Sequence, residues 1–265
     1  MNNTLSILDS RRAEWKQRKL YWKSQGIQSH LGRDDTFFKL KELNNNHTVS
    51  VFDPTLTEWV YQWFTKEGDN IYDPFCGGSV RGIVAGKMGR DYTGIDVRQE
   101  QLDENIRQSN LLDIPLTYKT PYEEDNTNYD FIFTCPPYWN LEKYSNQEDD
   151  ISNMKENDFF KEYERILTNA VSKLKPNRFM AMVLGDVRRR GDLKQPKGSY
   201  ILLPHRTIDI LSKLGVFLYN DIVYINHGNV VNQQRYMETY RKVGKVHQNL
   251  LIFNKGDWKE ASKRL

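Results

Sequence analysis

The run Ile71-Tyr72-Asp73-Pro74-Phe75-Cys76-Gly77-Gly78-Ser79, followed by Val80-Arg81-Gly82-Ile83-Val84-Ala85, leaves this chain few folds. An apolar approach, a Gly-Gly-Ser turn and a helix-forming run spell strand–turn–helix, with glycines where the backbone turns tightly and approaches a ligand. A second strand, Asp91-Tyr92-Thr93-Gly94-Ile95-Asp96, ends in a carboxylate twenty-three positions after Asp73. That is about the offset at which an acid reaches a ribose hydroxyl in a βαβ nucleotide site. The loop is neither GxGxxG nor a Gly-Lys-Ser/Thr phosphate cradle, so dinucleotide and P-loop readings are weak.

A later stretch points the same way. Phe131-Ile132-Phe133 is wholly apolar, as in a short strand buried on both faces of a parallel sheet. It runs into Cys135-Pro136-Pro137-Tyr138-Trp139. Neither proline carries an N–H, so this backbone offers carbonyl acceptors with φ already set. Aromatic faces follow at the strand's carboxyl end, where open α/β sheets bind ligands. Acceptors beside a stacking ring suit a flipped nucleobase whose exocyclic NH₂ must be held. A strand end closed by an aromatic plug would use the same letters.

DPF-x-GG-S, then GID, then a PPY closing a later strand resemble the amino-directed DNA methyltransferases over roughly residues 50 to 256. These enzymes move a methyl group from S-adenosylmethionine (AdoMet) to adenine N6 or cytosine N4. The cofactor loop precedes PPY, and the short Asp96-to-Cys135 interval has no room for an inserted recognition domain, an order similar to the γ arrangement. The resemblance implies a Rossmann-like α/β fold with a mostly parallel seven-stranded sheet and an antiparallel closing strand. It implies that Asp73, Pro74, Phe75, Gly77, Gly78 and Ser79 cradle the methionine part of AdoMet. Asp96 would bind the ribose, and Phe52 and Thr55 would pack at the methionine end. Cys135, Pro136, Pro137 and Tyr138 would hold the target base, the carbonyls of Cys135 and Pro136 polarising its amino group while Tyr138 stacks. Adenine N6 is favoured over cytosine N4.

The family usually carries Asp, Asn or Ser before the prolines, and a thiol is a weaker hydrogen-bonding group. Cys135 therefore also admits C5-pyrimidine methylation through a thiolate, although in that chemistry the thiol follows the proline. An RNA or nucleotide base as acceptor is another alternative. So is a catalytically inactive nucleic-acid-binding module on the same fold.

Charge is unevenly spread along the 265 residues. Lys and Arg outnumber Asp and Glu nine to five over residues 1–50 and fifteen to seven over 186–265. The balance reverses between, five to eight over 51–100 and nine to fifteen over 101–185. Basic ends suit a polyanion, duplex DNA here. Arg188, Arg189 and Arg190 are expected on phosphates. In the long polar connection, Gln233 carries an amide that reads adenine, Arg235 and Arg241 guanidiniums that read guanine, and Lys242 and Lys245 further positive charge, although a solvated loop would look alike.

The chain divides into a basic, aromatic helical extension (1–48) and a catalytic domain (49–265), with target-recognition loops near 139–158, 186–203 and 226–247. Trp15 and Trp22 in the predicted helix Asp9–Ser24, capped by Ser10, either pin it to the domain or stack on bases. Helices are expected over Leu56–Phe64, Glu100–Asn110, Phe159–Leu174 and Arg206–Leu214. Strands are expected over Leu116–Lys119, Phe179–Leu184, Leu218–Ile225 and Asn249–Phe253, with a mobile flap from Asn140 to Asp158. Thr120-Pro121-Tyr122 stands where the family often has an adenine-binding acid and is assigned no role. There is no 18-residue apolar run and no basic-then-apolar leader in Met1–Ser10. The two cysteines lie inside the motifs and no Cys/His cluster occurs. The expectation is a cytoplasmic protein without membrane or metal.

Overall fold

A computed structural model describes residues 6–27, 51–141, 144–145, 147–189, 198–226 and 233–265, with only the backbone of Gln233. The turn expected at Asn44–Asn46 and residues Arg190, Lys194, Lys197 and His227 lie outside the described residues.

Eight strands make one sheet: β1 (Ile7–Asp9), β2 (Asn70–Asp73), β3 (Asp91–Ile95), β4 (Thr117–Lys119), β5 (Phe131–Thr134), β6 (Arg178–Leu184), β7 (Val216–Ile225) and β8 (His247–Lys255). Their order is β1-β7-β8-β6-β5-β2-β3-β4. Only β8 runs against its neighbours, between β6 and β7. From β2 the chain first moves outward to β3 and β4, then returns to place β5 on the other side. That reversal opens a crevice at the carboxyl ends of β2 and β5, the place where doubly wound sheets bind ligands.

Period-two alternation builds the core. Phe131, Phe133, Phe179, Ala181, Val183, Leu250 and Ile252 join the apolar cluster on one face, and Ile132, Met180, Met182, Leu184, Leu251 and Phe253 the other. Both faces are covered, so β5 and β6 are nearly all apolar. The covering helices are α1 (Ala13–Ser24), α2 (Pro54–Phe64), α3 (Val80–Lys87), α4 (Gln99–Leu111), α5 (Glu156–Lys173), α6 (Leu203–Lys213), α7 (Gln233–Tyr240) and α8 (Trp258–Lys263).

The eighth strand is where the sheet exceeds the seven-stranded expectation. The N-terminal segment lays β1 parallel to β7, pairing Ile7 with Val223. With residues 7–9 in the sheet, α1 starts at Ala13, and Ser10 does not cap it. Trp15 and Trp22 are buried against α2. The Trp15 Nε1–H donates to Asp53 (3.2 Å), Trp22 Nε1–H to Glu58 (2.7 Å), and Lys19 to Asp53 (3.0 Å). Packing, rather than base stacking, is what these tryptophans do. Asp53 also caps α2, accepting the Thr55 and Leu56 N–H groups ahead of a proline in the first turn, so α2 begins before Leu56. Asp186 similarly accepts from Leu202 and Leu203 and starts α6 early.

One expectation of loop is corrected: residues 233–240 form α7. The described part of Asn140–Asp158 consists of short 3₁₀ turns joined by irregular backbone. Trp139 and Ile151 are buried, Trp139 Nε1–H donates to the Met154 carbonyl (3.1 Å), and Asp150 accepts from Ser145 and Ser152. No helix among the described residues is long and apolar enough to cross a membrane.

Candidate active site

The carboxyl ends of β2, β3 and β5 open on a cavity of about 470 Å³, ample for a nucleoside-sized cofactor. Phe52, Pro74, Phe75, Gly77, Gly78, Asp96, Cys135 and Pro137, all read from sequence as site residues, line it. Gly77 holds φ near +50°, a left-handed turn that glycine enters without cost. The turn is fastened from below, the Cys76 N–H donating to the Ile95 carbonyl (2.9 Å) and Asn105 Nδ2 to the Gly77 carbonyl (2.7 Å).

Three residues expected against the cofactor are instead sealed behind the loop. Asp73 is fully buried. One of its oxygens accepts from the Thr134 hydroxyl (2.6 Å) and the Phe75 N–H (3.2 Å); the other accepts from Arg81 Nε (2.5 Å) and the Tyr92 hydroxyl (2.8 Å). Four donors use up what a carboxylate can accept, so Asp73 welds β2, β3 and β5 to the loop rather than touching a ligand. Ser79 is buried and donates to Gln108 Oε1 (2.7 Å). Thr55 is buried as well, but its hydroxyl has no hydrogen-bond partner among the described residues.

Asp96 stays at the cavity wall and accepts the Arg98 N–H (2.9 Å). Burial pushes its pKa above the usual carboxylate value, and Arg98 opposes this. A carboxylate past β3 and a glycine turn with Arg81 past β2, all lining the cavity, fit a ligand that joins a ribose to an amino acid. AdoMet has that shape.

On the β5 side the Cys135 thiol lies 3.3 Å from the Tyr138 hydroxyl. That hydroxyl donates to the Val183 carbonyl (3.3 Å) and accepts from Gln248 Nε2 (2.9 Å). The ring lies over Gly185, where a Cβ would stand 2.7 Å from it, so only glycine admits this approach. Trp139, next in the chain, sits at φ near +52° with its indole buried, a strained conformation that its packing maintains.

Sequence reasoning missed three neighbours. Arg81 lines the cavity from α3, and Tyr122 lines it with its hydroxyl bonded to Asp149. Gln248 reaches Tyr138 from β8. Arg81, an arginine inside the otherwise apolar run after the glycine turn, was a legible signal; nothing local marks Gln248.

The basic clusters divide. Residues 187–189 pair as an extended strip with 198–201, so their side chains alternate. Arg189 turns inward, 7% exposed, with two bonds to Glu156 (2.8 and 2.6 Å), which corrects its assignment to phosphates. Arg188 lies over the Tyr200 ring, its guanidinium bonded to the Gly198 carbonyl (2.7 Å). Lys242 comes near Gly198, which joins two of the expected recognition loops. Arg235, Arg241 and Lys242 are exposed and Lys245 half-buried. Arg190 and the Gln233 side chain lie outside the described residues. Among those described, no cluster of His, Cys, Asp and Glu could hold a metal ion.

Two solved structures share the fold: a methyltransferase from Pyrococcus furiosus (TM-score 0.51, 17% identity, 80% of this chain and 88% of that one) and the [4+2]-cyclase SpnF (TM-score 0.53, 15% identity, 80% and 84%). Among curated proteins, the type II methyltransferase M2.DpnII of Streptococcus pneumoniae is 35% identical over 83 residues, 24% of this chain and 31% of that protein. M2.LlaDCHI of Lactococcus lactis subsp. cremoris is 50% identical over 38 residues, 14% of each. The matched stretches thus span less than a third of those relatives. The family model described as DNA methylase matches residues 4–107 and 129–264, both motif loops included. With its glycine turn, its carboxylate past β3 and its PPY at one crevice, this chain belongs to the AdoMet-dependent N6/N4 DNA methylase family.

Proposed function

We propose that the protein transfers the methyl group of AdoMet to the exocyclic amino group of a flipped base in duplex DNA, adenine N6 in preference to cytosine N4. The observation that carries this reading is the shared cavity: Cys135 and Pro137 line the same space as Pro74, Gly77 and Gly78. AdoMet, when bound, supplies an electrophilic methyl on a sulfonium. The Cys135 and Pro136 carbonyls accept the amino hydrogens, which turns the nitrogen lone pair toward that methyl. With AdoMet bound, the nitrogen–carbon bond would form as the carbon–sulfur bond breaks, the electron pair would leave on sulfur, and the nitrogen would release its proton to water. Tyr138 offers its ring to the base while Val183 and Gln248 hold its hydroxyl. Proximity supplies much of the acceleration.

Arg188, Arg241 and Lys242 supply phosphate contacts, with Arg235 and Gln233 for base readout. Mixed-sequence DNA incubated with isotope-labelled AdoMet, followed by nucleoside mass spectrometry, tests the reaction. N6-methyladenine is the expected product, and 5-methylcytosine would move the chemistry to Cys135. Label on RNA alone would move the substrate, and cofactor binding with no label on any nucleic acid would leave a binding module.

A further inference from the structure

Arg81 lines the cavity but has no part in the reaction above. Its side chain is 5% exposed. Nε donates to Asp73 (2.5 Å), and Nη2 donates to the carbonyls of Phe75 (2.8 Å) and Cys76 (3.0 Å). The guanidinium lies over the Phe52 ring, 4.4 Å from its centroid. Three of its surroundings are therefore settled: one edge on a carboxylate, one nitrogen on two carbonyls, one face on an aromatic ring. Nη1 makes none of these bonds, and the residue lines the cavity.

A guanidinium is always charged, and its fork matches a carboxylate. Facing the wrong part of AdoMet it would be harmful, because the sulfonium and the α-ammonium are both cations. The only anionic group on that molecule is the α-carboxylate. Asp96 also lines the cavity, with Arg98 beside it at 3.4 Å, and its oxygens suit ribose hydroxyls as hydrogen-bond donors. The free edge of the Arg81 guanidinium, beside the Phe52 ring, then suits the carboxylate, and the Asp96 oxygens, next to Arg98, suit the ribose hydroxyls. We propose that Arg81, through Nη1, is the residue that binds the α-carboxylate of AdoMet, in the pose that Asp73 and the two loop carbonyls hold ready. The inference rests on AdoMet occupying this cavity and adds the group that fixes its direction.

The test is a ligand-by-variant cycle read by calorimetry on the full chain, using S-adenosylhomocysteine and its decarboxylated counterpart, which keeps the amine and the thioether. Wild type should bind the carboxylated ligand about 10- to 100-fold more tightly, the range of a charge-assisted hydrogen bond. Arg81→Gln should lose most of that preference while binding the decarboxylated ligand nearly as wild type does. Equal binding of both ligands by wild type would overturn the proposal. So would an Arg81→Gln variant that loses affinity for both alike, since the arginine would then only shape the loop. Failure of wild type to bind either ligand overturns it too, together with the cofactor site itself, and is thereby distinguishable. Should Arg81→Gln not fold, Arg81→Lys takes its place. It keeps a charge beside Asp73 but has no second nitrogen for the ligand, so an undiminished preference would again overturn the proposal.

Discussion

The cavity and the basic face proposed to meet DNA treat their charges in opposite ways. Past β2 and β3, Asp73, Arg81, Ser79 and Gln108 are buried and spend their hydrogen bonds on one another and on the loop backbone. On the other side, Arg235, Arg241 and Lys242 stand exposed. A buried ionic network must be complete, because an unpaired charge away from water is costly. An exposed cation is solvated either way and costs little until a phosphate replaces its water and counterions. Damage to the first region should therefore appear as lost stability or cofactor affinity, and damage to the second as altered DNA binding alone.

The largest effect should come from Asp73→Ala. It strands Arg81 and removes the acceptor of Thr134 and Tyr92, so unfolding should become easier by about 3–5 kcal/mol in a denaturant titration. A loss below about 1 kcal/mol would erase the contrast, since the pair would then behave like surface charges.

Tyr138→Ala tests the boundary between the regions. Lost stacking of about 1–3 kcal/mol per base should lower kcat/KM on DNA about 5- to 150-fold. AdoMet affinity should hardly change, and a parallel loss there would show that the two sides are coupled through the PPY turn. Cys135→Ser should keep substantial activity, because its backbone carbonyl is retained and a hydroxyl is the better acceptor. A dead serine variant together with 5-methylcytosine from wild type would replace amino methylation by covalent attack through sulfur.

Asp96 links the cofactor side to pH. Burial raises its pKa, so on acidification it protonates before an ordinary carboxylate does. If the charged form accepts the ribose hydroxyls, AdoMet affinity is full above that raised pKa and falls as pH drops through it. Asp96→Asn should bind about tenfold more weakly at neutral pH, the order of one lost charged hydrogen bond. Its acid limb should flatten, and a titration with the wild-type slope would take Asp96 out of the site.

The smallest effects belong to the basic face. Neutralising Arg188 or Lys242 should each reduce the slope of log affinity against log salt by about 0.9, with no change in sequence preference. Arg189→Gln should do the reverse: it is paired with Glu156, so the melting temperature should drop and the salt slope stay put. Equal slopes for Arg188→Gln and Arg189→Gln would put the DNA on another surface.

Local sequence carried much of the architecture. The wholly apolar runs at Phe131–Phe133 and Phe179–Leu184, the glycine turn after Asp73 and the prolines after Cys135 each act through neighbouring residues, so their strands and the turn formed where their letters said. The DNA methylase family, and with it the cofactor, was readable through the resemblance that these motifs carry. What sequence could not determine was which way a polar side chain faces. Asp73 reads as a ligand-binding acid, yet Thr134, sixty-one residues on, and Tyr92 on the next strand claim its oxygens. Arg189 sits in a triplet of identical charges, and only its pairing with the 198–201 strip turns it toward Glu156 while Arg188 meets Tyr200. Trp15 and Trp22 look equally able to stack on bases until Asp53 and Glu58 take their indole N–H groups. Backbone form follows from near neighbours, whereas the partner of a polar group is chosen by whatever the tertiary fold places within hydrogen-bond reach.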